Sequence, residues 1–188
     1  MTYKIYRVED TSELDSVPVA VIKDYPLEKR DYKPYAPAIL CRTLPSLILR
    51  MWAVEVSPPQ GSELLALLGL FGDGTAPLLA AFTPGDGFSL SLMAKGGAAR
   101  HPLPEGLILT PHSGEDLQGI YWGGTAVIPL NALEKIGGGF SLLKGSAFPG
   151  NFYKLCPGPQ MAHQGSFFPA DFKADPFSPG SMGKLLVI

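Results

Sequence analysis

Residues 77–92 read PLLAAFTPGDGFSLSL, and the order of turn signals and alternation in this stretch sets the fold class. An apolar run from Pro77 to Phe82 leads into the turn sequence Pro84-Gly85-Asp86-Gly87. Phe88-Ser89-Leu90-Ser91-Leu92 follows, in strict alternation of apolar and polar residues. Side chains that alternate in this way lie on opposite faces of an extended strand. A glycine-containing turn between two such runs joins them as an antiparallel hairpin. A further turn signal, Gly72-Asp73-Gly74, precedes the pair, so the stretch predicts consecutive hairpins.

Working upstream, Ile48 to Val56 predicts the best-defined strand. It places Leu47, Leu49, Met51 and Ala53 on one face and Arg50, Trp52 and Val54 on the other, and Pro58 and Pro59 stop it. From Glu63 to Phe71, Leu64, Leu65, Leu67 and Leu68 have helical spacing in a run short enough for a buried strand, so both readings stay open. Tyr3 to Val8 is expected as an edge strand, Val17 to Ile22 as a β-branched apolar run, and Asp24 to Pro37 as an extended surface loop.

Downstream, Gly96 to Gly114 reads as loop around a short apolar Leu107 to Leu109. Gly119 to Ile128 reads as a strand carrying Tyr121 and Trp122. Asn131 is expected to cap a short helical turn through Ile136 that Gly137 to Gly139 end. Phe140 to Leu143, Phe152 to Leu155 and Leu185 to Ile188 complete the strands, with a Pro- and Phe-rich excursion between the last two. Many short strands separated by turns predict an all-β fold: an antiparallel, jelly-roll-like β-sandwich with one short helical turn, formed by residues 1–188 as one domain.

Composition agrees. Glycine and proline, 22 and 19 of the 188 residues, break the chain into short pieces, and a hydrophobic fraction of 46% supplies a core. A net charge of −2 without a basic block gives little of the field that nucleic-acid binding needs. No apolar run approaches the roughly 18 residues needed to cross a bilayer. The N-terminal MTYKIYRVED lacks the layout of a secretory signal, so the cytoplasm is the default expectation. Cys41 and Cys156 read as two buried small apolar side chains, with a single bridge as the alternative.

The segment Asn151-Phe152-Tyr153-Lys154 resembles the NFYK/NFYR motif that closes family 9-like carbohydrate-binding modules, β-sandwiches related to the DOMON group. His163, Phe167 and Pro169 fall at the spacing of the family's next block, with Phe167 where the family has tryptophan. Phe177, Pro179, Met182, Gly183 and Leu185 continue it. Trp122, Ile128, Pro129, Leu130 and Leu133 echo an upstream block, so the likeness covers roughly residues 119–188. The centre departs from the pattern. Leu65 stands at an acidic position, and Ala80 and Phe82 fall on a strand that is polar in the family.

The resemblance implies a non-catalytic domain that holds a sugar by aromatic stacking and hydrogen bonds. Trp122, Tyr121, Phe167 and Trp52 are the candidate platforms, and Tyr153, Lys154, Asn151, Arg50 and His163 the candidate polar contacts. The bland alternatives are that each aromatic is core and that residues 151–154 pin a β-corner. The rival function, motivated by Leu65, Ala80 and Phe82, is a degenerate sandwich that serves as a structural or protein-interaction module.

No cofactor is implied. Related modules can hold structural calcium, but Asp73 and Asp86 lack the acidic neighbours of a calcium loop. The spacing of Met51, Met93, Met161 and His163 does not suggest haem, and the histidines and cysteines have no zinc spacing. No nucleophile elbow or phosphate loop occurs, so no enzyme is expected.

Overall fold

The computed structural model describes residues 1–72, 74–85, 87–94, 97–117, 119–158 and 162–188; Asp73 and Asp86, the candidates for calcium, and Met161, a candidate for haem, lie outside them. Short β-favouring runs between Gly and Pro turns become β1 (Thr2–Arg7), β2 (Ala20–Ile22), β3 (Ala36–Arg42), β4 (Ser46–Glu55), β5 (Glu63–Leu68), β6 (Leu78–Thr83) and β7 (Gly87–Ala94). They continue as β8 (Gly97–His101), β9 (Ile108–Asp116), β10 (Gly119–Pro129), β11 (Ala147–Cys156), β12 (His163–Ser166) and β13 (Gly183–Val187). One α-helix, α1 (Leu130–Gly137), and 3-10 turns at Thr11–Ser16 and Pro179–Ser181 complete the described elements.

The strands run in the order β8-β7-β6-β5-β11-β13-β1-β3-β4-β10-β9, with β12 on β11 and β2 on β3. The hairpins expected around residues 77–92 are present: β5, β6, β7 and β8 pair antiparallel in sequence order. The fold is all-β, but the sheet is mixed, which corrects the strictly antiparallel expectation. Thr2 to Ile5 of β1 pair in parallel with β13, and Tyr6 and Arg7 pair in parallel with β3. Instead of an edge strand, β1 is therefore a central one with neighbours on both sides. Parallel partners need no connecting turn, so local sequence carries no signal for them.

The sheet turns back on itself at β1, so that β10 faces β6 and β4 faces β5. Between these layers lies the main core, in which the alternation expected of β4 buries Leu47, Leu49, Met51 and Ala53 completely. Burial on this scale contributes roughly 1.5–3 kcal/mol per large apolar side chain.

Several local expectations change. Glu63 to Leu68 is strand rather than helix, buried on both faces, which hides the period-two pattern. Gly96 to Gly114 contains β8 and most of β9. Phe140 to Leu143 is irregular, and only Leu142 of that run is buried in the core. Asn131 lies within the helix, whose N-cap is Pro129 without a side-chain hydrogen bond. The 3-10 turn at Thr11–Ser16 is anchored against the sheet by Leu14, which packs with Val8, Val17, Ile39, Cys41 and Ile48 on the outward side of β3 and β4. No helix among the described residues is long and apolar enough to cross a membrane.

Candidate functional site

Extending the β4 alternation one step past Ala53 puts Glu55 on the core-facing side of the strand, 2% exposed. Three of the predicted site residues converge on it. The Trp122 indole N–H donates to Oε2 at 2.8 Å, the Lys154 Nζ lies 3.3 Å from the same oxygen, and the His163 Nε2 lies 3.5 Å from Oε1. Lys154 also donates to the Ser62 hydroxyl and the Leu155 carbonyl, each at 3.3 Å, and sits 5.2 Å from the Trp122 ring centroid. Burial pulls Lys154 below the ordinary lysine range, while the Glu55 charge acts in the other direction. Trp122, Lys154 and His163 are all buried. The cluster braces β4, β10 and β11 across the interior, and Glu55, its centre, is not among the residues expected from the sequence.

Asn151 and Tyr153 project from the other face of β11. The Asn151 amide donates to the carbonyls of Phe168 (2.9 Å) and Ser181 (2.7 Å), and its oxygen accepts from the N–H groups of Phe152 (2.8 Å) and Phe168 (2.9 Å). The Tyr153 hydroxyl donates to the Pro176 carbonyl at 2.7 Å. Both side chains are buried beneath the 167–182 excursion that they hold down. The partly buried Phe167 meets the rings of Tyr3, Phe152 and Phe168, with centroids at 5.9, 6.1 and 4.7 Å. Leu65, Ala80 and Phe82 are buried as well, so the positions that depart from the family's polar pattern face no solvent.

Arg50 and Trp52 remain, and they share the outward face of β4. The Arg50 guanidinium lies 5.8 Å from the Trp52 ring centroid and donates to Asp15 at 2.8 Å, the aspartate being held there by the 3-10 turn. Tyr121 on β10 and His112 on β9 reach the same face. The five side chains line a depression of about 250 Å³. Two glycines pair with residues that line it, Gly114 with Tyr121 and Gly123 with Trp52 and His112; Gly114 leaves room for the Tyr121 ring, and Gly123 for the close approach of the β4 backbone. His112 shares a 2.8 Å hydrogen bond between Nε2 and the Thr125 hydroxyl. Burial, and then the Arg50 charge, hold its imidazole below the ordinary value.

A larger cleft of about 560 Å³ lies between the 102–106 loop and α1, but its described lining, which includes His101, Pro102, Pro104, Lys135 and Ile136, contains no Phe, Tyr or Trp ring. It lacks the platform that sugar binding uses. The Arg50–Trp52 depression is smaller but has two such rings, Trp52 and Tyr121.

Solved structures share this fold. A candidate carbohydrate-binding protein from Bacteroides uniformis superposes with a TM-score of 0.77 at 17% identity, covering 100% of this chain and 99% of that one. A family 9 carbohydrate-binding module from Caldicellulosiruptor kristjanssonii in complex with cellotriose gives 0.68 at 9% identity, covering 100% and 93%. The family 9 module from that organism in complex with glucose gives 0.66 at 10%, covering 100% and 96%. At these identities the likeness is one of fold, and it is the fold that the 119–188 resemblance implied. No protein-family model and no curated protein matches the chain.

Proposed function

We propose that this protein is a non-catalytic carbohydrate-binding module whose sugar sits in the depression between Trp52 and Tyr121. The carrying observation is the company those two rings keep: Arg50, Asp15 and His112 around about 250 Å³ of open space. Aromatic side chains accept the C–H faces of a pyranose, and charged or amide groups at the rim fix its hydroxyls. The solved neighbours include modules bound to cellotriose and glucose, which supports a saccharide as the ligand class. Fold alone does not carry a ligand from one protein to another, so the weight rests on the side chains.

Calorimetric titration with a panel of mono- and oligosaccharides tests the reading. At least one saccharide is expected to bind, and Trp52→Ala or Tyr121→Ala is expected to weaken it by roughly fivefold to tenfold. Uniform absence of binding by a cooperatively folded protein would remove it. The burial of Leu65, Ala80, Phe82 and Trp122 favours a second reading, a sandwich retained as a structural or interaction module. That reading gains if the whole panel is silent.

A further inference from the structure

The donors around the depression outnumber the acceptors, which bears on the kind of sugar it takes. Arg50 donates one hydrogen bond, to Asp15, and its remaining N–H groups have no partner among the described residues. Neither the Trp52 indole N–H nor the Tyr121 hydroxyl has one there, and His112 engages only its Nε2. Arg50 and Trp52 can only donate, the Tyr121 hydroxyl and the second ring nitrogen of His112 can act either way, and the one acceptor-only group is the carboxylate of Asp15, whose side chain is 90% exposed. An ion pair with one partner almost wholly in solvent holds weakly. Asp15 therefore occupies, loosely, the position on Arg50 that a ligand carboxylate would take.

We propose that the depression takes an anionic sugar, a uronic acid residue whose carboxylate displaces that of Asp15 from the Arg50 guanidinium while its ring packs beside Trp52 and Tyr121. The inference rests on the saccharide reading and narrows it. A neutral hexose can answer the Arg50 and Trp52 donors only with uncharged oxygens, most of which carry a proton that needs an acceptor of its own. A carboxylate accepts from several N–H and O–H groups together, and its bonds to guanidinium are of the charge-assisted kind. Exchange of one carboxylate for another keeps the charge at Arg50 balanced. The volume of about 250 Å³ suits a single sugar residue rather than a chain lying along a groove.

Titration of the whole chain with methyl β-D-glucuronide and methyl β-D-galacturonide, beside methyl β-D-glucoside and methyl β-D-galactoside, is the test, because each pair differs only at C6. The uronides are expected to bind roughly tenfold or more tightly than their neutral partners. Arg50→Gln is expected to abolish that preference, and Asp15→Asn, which removes the competing carboxylate, to raise uronide affinity several-fold. Neutral glycosides that bind as well as the uronides, or an Asp15→Asn variant that binds uronide less well, would overturn the inference and leave the saccharide reading standing. Binding by none of the four overturns it too, and the broader panel then decides the wider reading separately. Should Arg50→Gln fail to fold, the exposed Asp15 substitution carries the test.

Discussion

The Lys154 ammonium and the Glu55 carboxylate form an ion pair 3.3 Å apart inside the protein, with side-chain exposures of 0% and 2%. The pair joins β11 to β4, one strand from each facing layer. Such a pair is costly to desolvate, so its removal as a unit can be nearly neutral, whereas removal of one partner strands a buried charge. Lys154→Met is expected to destabilise the protein by about 3 kcal/mol, and Glu55→Gln added to it to recover much of the loss. Urea unfolding of the single and double variants checks this. A single variant as stable as the parent would mean that the Trp122 and His163 contacts alone suffice for Glu55.

Asn151 satisfies four backbone groups of residues 152, 168 and 181 from one buried amide. Truncation to alanine leaves them without partners in a place water reaches poorly, at about 1–3 kcal/mol for each group that stays unpaired. Asn151→Ala is expected to lose at least about 3 kcal/mol, and proteolysis is expected to begin in the 167–182 excursion that the amide anchors. Cleavage elsewhere first would show that the excursion is held by its aromatic contacts with Tyr153 instead.

The parts of this molecule that could be read in the sequence are those whose information is local. The β6–β7 hairpin is encoded by a turn between two neighbouring runs, and the outward placement of Arg50 and Trp52 by alternation within one strand. The role of β1 was not legible, because Thr2 to Ile5 pair with residues 184–187 at the far end of the chain. β8 was missed because four of its five residues are exposed and a wet edge strand carries no apolar alternation. Glu55 was within reach of the β4 pattern, but its partners come from β10, β11 and β12, and no single stretch records that convergence. For the same reason Trp122 could be named as a candidate while the face it occupies could not be assigned.

Hydrogen bonds from the Arg30 side chain, and then from its backbone N–H, hold the Glu28 carboxyl at about 2, below the ordinary 4.5. The Arg30 guanidinium also donates to the Ala162 carbonyl at 2.9 Å, tying the loop before β3 to the start of β12. A folded-state value below the unfolded one means that the unfolded chain binds the extra proton between pH 4.5 and 2. The contribution is therefore complete above pH 4.5 and is lost as pH falls toward 2. Glu28→Gln is expected to be less stable than the parent at pH 7 and to converge with it near pH 2. Denaturation curves at stepped pH read this directly, and a constant gap down to pH 2 would contradict it.

Cys41 and Cys156 are both buried and unpaired, on strands of opposite layers. Burial pushes the Cys41 thiol up to about 12, far from the thiolate form that attacks reagents. A thiol reagent is expected to modify neither cysteine in the native protein and both in denaturant. Absence of free thiol after unfolding without reductant would instead reveal a bridge.

Gly114 and Gly123 each pair with residues that line the depression but should respond differently to an added methyl group. A Cβ on Gly114 would lie 2.2 Å from the Tyr121 hydroxyl oxygen and 2.7 Å from its Cε1, whereas one on Gly123 would lie 2.1 Å from the Met51 carbonyl oxygen and 2.7 Å from the Trp52 Cα. Tyr121 is 36% exposed and its ring can swing aside, while the backbone of β4 cannot. Gly123 also has a φ of +143°, which a side chain rarely adopts. Gly114→Ala is thus expected to cost under about 1 kcal/mol of stability while weakening saccharide binding several-fold, and Gly123→Ala to cost about 3 kcal/mol or more. Thermal melts separate the two effects on folding, and titration of Gly114→Ala isolates the one on binding. A Gly114→Ala variant that binds sugar as the parent does would remove Tyr121 from the site and leave Trp52 as its aromatic wall.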